Sequence, residues 1–188
     1  MVYLWSGNNM AKKKKNLKKN ILVTGGSGFI GSAITRYLVK KGKKVIVFDN
    51  NSRGRARRLK DVQGKIKFIK GDIRDSRKLL QINNVETVIH LAYVNGTKFF
   101  YSKPFEILDI AVNGLINILE FSKKKKVKNF YLASSSEVYQ NPNKIPTDEK
   151  EMLKIPDIHN PRYSYGGGKI ISELYSTYFA KKFFKKFI

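Results

Sequence analysis

From Asn20 onward, short β-branched runs alternate with amphipathic segments, and no other feature narrows the fold of this chain as far. The run "ILVTG" (21–25) is apolar and closes on glycine, which predicts a buried strand. "IGSAITRYLVKKG" (30–42) follows, with Ile30, Ile34, Tyr37 and Leu38 at helical spacing and Gly42 as its stop. Further strands are predicted over 44–49, 65–72, 85–92 and 127–135; the 65–72 run alternates apolar and basic residues, as suits a strand near a sheet edge. Between the last two, "PFEILDIAVNGLINILEFSKKKK" (104–126) opens with proline in a first turn. It is predicted to carry Phe105, Leu108, Ala111, Val112, Leu115, Ile116 and Leu119 on one apolar face. "SYGGGKIISELYSTYFAKKFF" (164–184) is the last helix. Strand–helix alternation at this spacing requires right-handed crossovers, hence an α/β, doubly wound parallel sheet with helices on both faces. Residues 141–161 hold four of the five prolines and are predicted to form a long loop.

Composition removes several functions. The chain has no cysteine and only two histidines, His90 and His159, so disulfides and cysteine- or histidine-rich metal sites are not expected. No apolar run is long enough to cross a bilayer, and no membrane partner is expected. The net charge is +24, but the lysines that dominate it are spread along the chain. A nucleic-acid interface more often gathers arginine on one face, so a lysine-rich coding bias is the preferred reading. Residues 1–19 read as a basic N-terminal tail, not a secretory signal, because their short apolar part precedes the charge. Met10 is an alternative start. Residues 20–188 are expected to form one domain.

The first strand runs into "TGGSGFIG", which spaces Gly25, Gly28 and Gly31 as G-x-x-G-x-x-G before a helix. Glycines there allow a tight turn and a close backbone approach to a pyrophosphate resting on the helix N-terminus. The next strand ends in Asp49, 18 residues after Gly31, whose carboxylate can accept both hydroxyls of an adenosine ribose and repel a 2′-phosphate. The reading is a Rossmann-like domain that binds NAD, with Arg53 nearby leaving some tolerance of NADP. Asp72, in "GDIRD", either accepts the adenine amino group or caps the helix that starts near Asp75; residue chemistry alone does not choose.

Three glycines inside the last helix cost roughly 3 kcal/mol relative to alanine. They are expected to let that helix lie close against a bulky ligand. Tyr165 and Lys169, at i and i+4, share its face. An ammonium near a phenol favours the phenolate, so Tyr165 is expected to have a lowered pKa and to act as a general base on a sugar hydroxyl while hydride leaves the same carbon. "LASSSEVY", at the end of the fifth strand, supplies hydroxyls that can hydrogen-bond the reacting oxygen.

Taken in order, TGGSGFIG, Asp49, GDIRD, VIHLA, SSSEVY and YSYGGGK resemble the extended short-chain dehydrogenase/reductases, the NAD-dependent nucleotide-sugar epimerase/dehydratase family. The resemblance covers residues 20–188. It implies a cytoplasmic enzyme with tightly held NAD that oxidises a nucleotide-linked hexose at C4. It also implies Tyr165 as base, Lys169 as its partner and Ser135 at the catalytic Ser/Thr position. Cofactor contacts are implied at Gly25, Gly28, Phe29, Ile30, Gly31, Asp49, Asn50, Asp72, Ile73, Leu91, Ala92 and Tyr93, and at Tyr165 and Lys169 themselves. An epimerase is expected first, because Ser136 stands where dehydratases carry a carboxyl acid. Glu137, counted among the catalytic candidates, keeps a UDP-glucuronate decarboxylase or a dTDP-sugar 4,6-dehydratase open. Ala111 and Gln140 depart from the asparagine and glycine usual in the family.

In such relatives further strands and a C-terminal substrate domain follow, and helices equivalent to 104–125 and 164–184 form a homodimer. Here the sequence stops at "KKFFKKFI". The expectation is a chain whose substrate domain is missing, with an open edge beside the fifth strand and uncovered helix faces. A non-catalytic NAD-binding module is the alternative of a different class.

Overall fold

The computed structural model describes residues 19–188; the basic N-terminal tail and the choice between Met1 and Met10 fall outside them. Six strands form one parallel sheet: β1 (Asn20–Thr24), β2 (Val45–Asp49), β3 (Ile66–Lys70), β4 (Val85–His90), β5 (Asn129–Leu132) and β6 (Lys186–Phe187), ordered β3-β2-β1-β4-β5-β6. The order reverses between β1 and β4, the switch point at which open α/β sheets bind ligands beyond the carboxyl ends of their strands. β2 is buried along its whole length and β3, at the edge, is only half-buried, in keeping with its alternating sequence.

Each face of the sheet carries its own apolar layer. Val23, Val45 and Val47 pack with Leu59 beneath α1 (Phe29–Lys40) and a 3-10 segment, Ala56–Lys65, that no sequence pattern announced. Leu22, Phe48, Val88 and Phe130 face the larger layer, which is closed by the helices after β4. Those helices are α3 (Thr97–Ser102), α4 (Pro104–Asp109), α5 (Leu115–Lys124) and α6 (Ser164–Phe183); α2 (Ser76–Leu80) precedes β4. In α1 the buried residues are Gly31, Ser32 and Thr35, while Ile30 and Tyr37 are exposed, so its apolar periodicity marks the core face only in part.

The helix expected over 104–126 needs correction. A π-helical segment, Ile110–Gly114, joins α4 to α5 and rotates the face between them. Ile107, Ile110, Ala111, Leu115, Ile118 and Leu119 are buried, whereas Phe105, Leu108 and Val112 point outward. The edge beside β5 is not left open either. β6 pairs with it in parallel, Asn129 opposite Lys186 and Phe130 opposite Phe187. Phe184 stacks on Phe130 with ring centroids 5.2 Å apart. The lysines of "FFKKFI" hid a two-residue strand anchored by its phenylalanines.

Candidate active site

All the predicted cofactor contacts, from Gly25 to Lys169, line a single cleft of about 420 Å³ at the switch point. At its floor the glycine loop is packed tightly. Gly25 has φ +70°, and a Cβ there would sit 2.7 Å from the Ala92 nitrogen; a Cβ on Gly31 would fall on the Gly25 carbonyl. This packing brings the first turn of α1, which has no acidic residue, to the cleft with backbone N–H groups unused by the helix. Phe29 and Ile30 form an exposed apolar lip.

Asp49 ends β2 with only 7% of its surface exposed. One carboxylate oxygen accepts the Ser27 N–H at 2.9 Å and the other the Asn51 N–H at 2.8 Å, which fixes its aim while leaving lone pairs for a ligand hydroxyl. Asp72 is a different case. It accepts the Arg74 N–H at 2.9 Å, two guanidinium bonds from the same residue at 3.0 and 2.8 Å, and the Asn50 amide at 3.0 Å. The Arg74 guanidinium is the main reason its carboxyl is held down to about 2, and these bonds fill its four acceptor directions. The helix cap proposed for it belongs to Asp75, which accepts the Arg77 N–H.

Tyr165 and Lys169 lie side by side in the first turns of α6 and are both buried. Lys169 donates to the Ala133 carbonyl at 2.7 Å, with its ammonium 4.1 Å from the centre of the Tyr93 ring and 5.9 Å from that of Tyr165. Burial pulls its pKa down to about 8. The expected lowering of the Tyr165 pKa is not found. Burial raises it, and the Glu137 carboxylate adds to the rise, while the Ser135 hydroxyl pulls the other way. An ammonium occupied by a carbonyl and a neighbouring ring does too little for the phenolate to offset that burial.

The glycine run also serves another purpose than the one expected. Gly166, Gly167 and Gly168 do not line the cleft. A Cβ on Gly166 would lie 2.7 Å from the Glu137 carbonyl, and one on Gly168 would fall on the Tyr93 hydroxyl and within 2.8 Å of the Ala111 Cβ. They let α6 close on protein neighbours, with Ala111 small for the same reason. Ser135 and Glu137 are likewise absent from the lining, where Ser134 appears instead. The Ser135 hydroxyl accepts the Glu137 N–H at 3.2 Å and caps the 3-10 turn Ser136–Val138. The Glu137 carboxylate pairs with Arg162 at 2.9 Å. Sequence reasoning passed over Arg58 and Asn95, which line the cleft; Arg58 reaches the glycine loop through the Ser27 carbonyl at 3.3 Å. The basic stretch "RGRARR" was a usable signal for an anionic ligand.

The family model described as the NAD dependent epimerase/dehydratase family matches residues 21–188. The chain belongs to this family. Among family members it is 38% identical over 158 residues to a putative UDP-glucose 4-epimerase of Methanocaldococcus jannaschii, covering 82% of this chain and 49% of that one. It is 37% identical over 124 residues to a UDP-N-acetyl-alpha-D-glucosaminuronate decarboxylase of Bacillus cytotoxicus, covering 65% and 38%. The solved UDP-glucose 4-epimerase of Thermotoga maritima with UDP-glucose superposes with a TM-score of 0.78 at 32% identity, over 87% of this chain and 52% of that one. That of Bifidobacterium longum in complex with NAD+ and UDP gives 0.77 at 30% identity, over 86% and 49%. The chain thus spans about half the length of these epimerases. NAD is the cofactor of this family, and the residues present fit it: a carboxylate at the end of β2, a glycine-opened helix N-terminus, and the apolar side chains of Phe29, Ile73 and Leu91 between. Among the described residues no helix is long and apolar enough to cross a membrane, and no cluster of His, Cys, Asp or Glu could hold a metal ion.

Proposed function

We propose that this chain provides the cofactor-binding and proton-transfer part of an NAD-dependent UDP-sugar 4-epimerase. The observation that carries the reading is the convergence of the glycine loop, Asp49 and the Tyr165–Lys169 pair on one cleft. The first-turn N–H groups of α1 hold the pyrophosphate, and Asp49 accepts the ribose hydroxyls. Bound NAD supplies the hydride acceptor. Tyr165 takes the proton of the C4 hydroxyl and returns it, Ser135 hydrogen-bonds the reacting oxygen, and Lys169 favours the phenolate once its ammonium leaves the Ala133 carbonyl.

The pairing of Glu137 with Arg162 supports an epimerase over a dehydratase or a decarboxylase, because it occupies the carboxyl that those enzymes would use on the sugar. A non-catalytic NAD-binding module is the second reading, favoured by the absence of Ser135 from the cleft lining. The outward stripes Phe105, Leu108, Val112 and Ile171, Leu174, Tyr178 support a homodimer through the 104–125 and 164–184 helices.

Incubation with NAD and UDP-glucose, with UDP-galactose followed by chromatography, tests the catalytic reading. Turnover that Tyr165→Phe reduces by two to four orders of magnitude, the usual worth of a general base, is the expected result. Absence of UDP-galactose from protein that still binds NADH would leave the module reading.

A further inference from the structure

Arg162 stands three residues before Tyr165, in the short 3-10 turn Pro161–Tyr163 that leads into α6. Its guanidinium bonds the Glu137 carboxylate at 3.1 and 2.9 Å. Its Cζ lies over the Phe100 ring, 5.1 Å from the centroid. The same Phe100 ring, fully buried, stacks on Tyr165 at 5.1 Å and 23°. Four side chains therefore form one connected stack, Glu137–Arg162–Phe100–Tyr165, joining the turn after β5 to the start of α6 through α3. Gly166 lets the two backbones meet beside it, against the Glu137 carbonyl.

Stability alone does not account for this arrangement. Among the described residues the buried Nη1 of Arg162 has no hydrogen-bond partner, and an unpaired buried donor is costly. A larger apolar side chain on Phe100 would avoid that cost. What the guanidinium adds is a positive charge against the one carboxylate in this turn that acts on Tyr165.

We propose that Arg162 is a positioning residue for the candidate base: by pairing with Glu137 it shields Tyr165 from that carboxylate and holds the Ser135 turn on α6. This rests on Tyr165 being the base of the proposed reaction. The groups that face Tyr165 are Tyr93, edge-on at 5.0 Å from the segment after β4, Phe100 from α3, Ser135 and Glu137 from the turn after β5, and Lys169 from its own helix. Among these, Glu137 is the anion and Lys169 the cation. Loss of Arg162 leaves the anion unopposed and disfavours the phenolate, and loss of Glu137 does the reverse.

The test is the Tyr165 titration in the full chain labelled with 3-fluorotyrosine, whose lower intrinsic pKa keeps the midpoint within range. The 19F signal is assigned by its loss in Tyr165→Phe. Arg162→Gln is expected to raise the midpoint by about one unit, about tenfold less phenolate at fixed pH. Glu137→Gln is expected to lower it, and the double variant to return near wild type. Arg162→Lys, which keeps the charge without the planar fork, falls between wild type and Arg162→Gln. Single variants that leave the midpoint in place, or move it in the same direction, overturn the proposal. If Arg162→Gln does not fold, Glu137→Gln decides alone: a lowered midpoint supports the shielding, an unmoved one removes it. NADH affinity is measured on the same samples. Wild-type protein that fails to bind NADH would sink the functional reading, yet the titration cycle would still decide the role of Arg162.

Discussion

Lys169 is only 5% exposed, and its ammonium has a single carbonyl and a ring face in place of water. Burial therefore holds its pKa at about 8, below the ordinary 10.5 of a lysine. In the unfolded chain the amine binds its proton up to the higher value, so between about pH 8 and 10.5 the unfolded state carries more protons and stability rises with pH. Below pH 8 the full cost of the buried charge is present. Lys169→Met is accordingly expected to stabilise the cofactor-free protein by up to about 3 kcal/mol at pH 7, less whatever its bond to Ala133 contributes, and by much less at pH 10.5. Urea unfolding at both pH values checks this; an equal effect at both would show that the charge is not the cause. A lysine kept at such a cost in the cleft is in keeping with a role in chemistry.

Among the elements, α4 with the π segment that follows it, and α6, each have two faces with different tasks. Their inner faces build the larger apolar layer, while Leu108 and Val112 on one side and Leu174 and Tyr178 on the other remain at least a third exposed. If these outer stripes meet those of a second copy, Leu174→Glu is expected to convert a dimer to a monomer in light scattering while leaving the melting temperature within a few degrees. A wild-type monomer at micromolar concentration would contradict the dimer. These helices also show where sequence periodicity stops being enough. It found the helices, because apolar residues recur at helical spacing from Phe105 to Leu119. It chose the wrong face for the first turns, because the π segment at Ile110–Gly114 shifts the phase by one residue and leaves no compositional mark. The glycine run misled in a related way. Its spacing showed a close approach, but what approaches is Tyr93, Ala111 and the Glu137 carbonyl, residues distant in sequence.

For the whole molecule, a local motif with its own geometry was legible and a contact made by tertiary packing was not. The parallel sheet and the cleft follow from strand–helix alternation, the glycine loop and the acid ending β2, each of which acts on its neighbours in sequence. The Asn50 bond that completes the set on Asp72, the raised Tyr165 pKa and the pairing of Glu137 with Arg162 depend on side chains brought together by the fold. β6 lay between these cases: Phe184 and Phe187 were visible in the sequence, but their stacking on Phe130 of the neighbouring strand was not.

If the cleft holds NAD, the carboxylate at the end of β2 is the group that grips the adenosine ribose. Titration of the purified chain with NADH, followed by nicotinamide fluorescence, tests it most directly, with Asp49→Ala and Asp72→Ala beside the wild type. Saturable binding is expected, and Asp49→Ala should weaken it at least tenfold, about 1.4 kcal/mol, because two ribose hydroxyls lose a charged acceptor. Asp72→Ala, whose carboxylate is already saturated by Arg74 and Asn50, should cost less. A folded wild type that does not bind, or one whose affinity ignores Asp49, would contradict the claim.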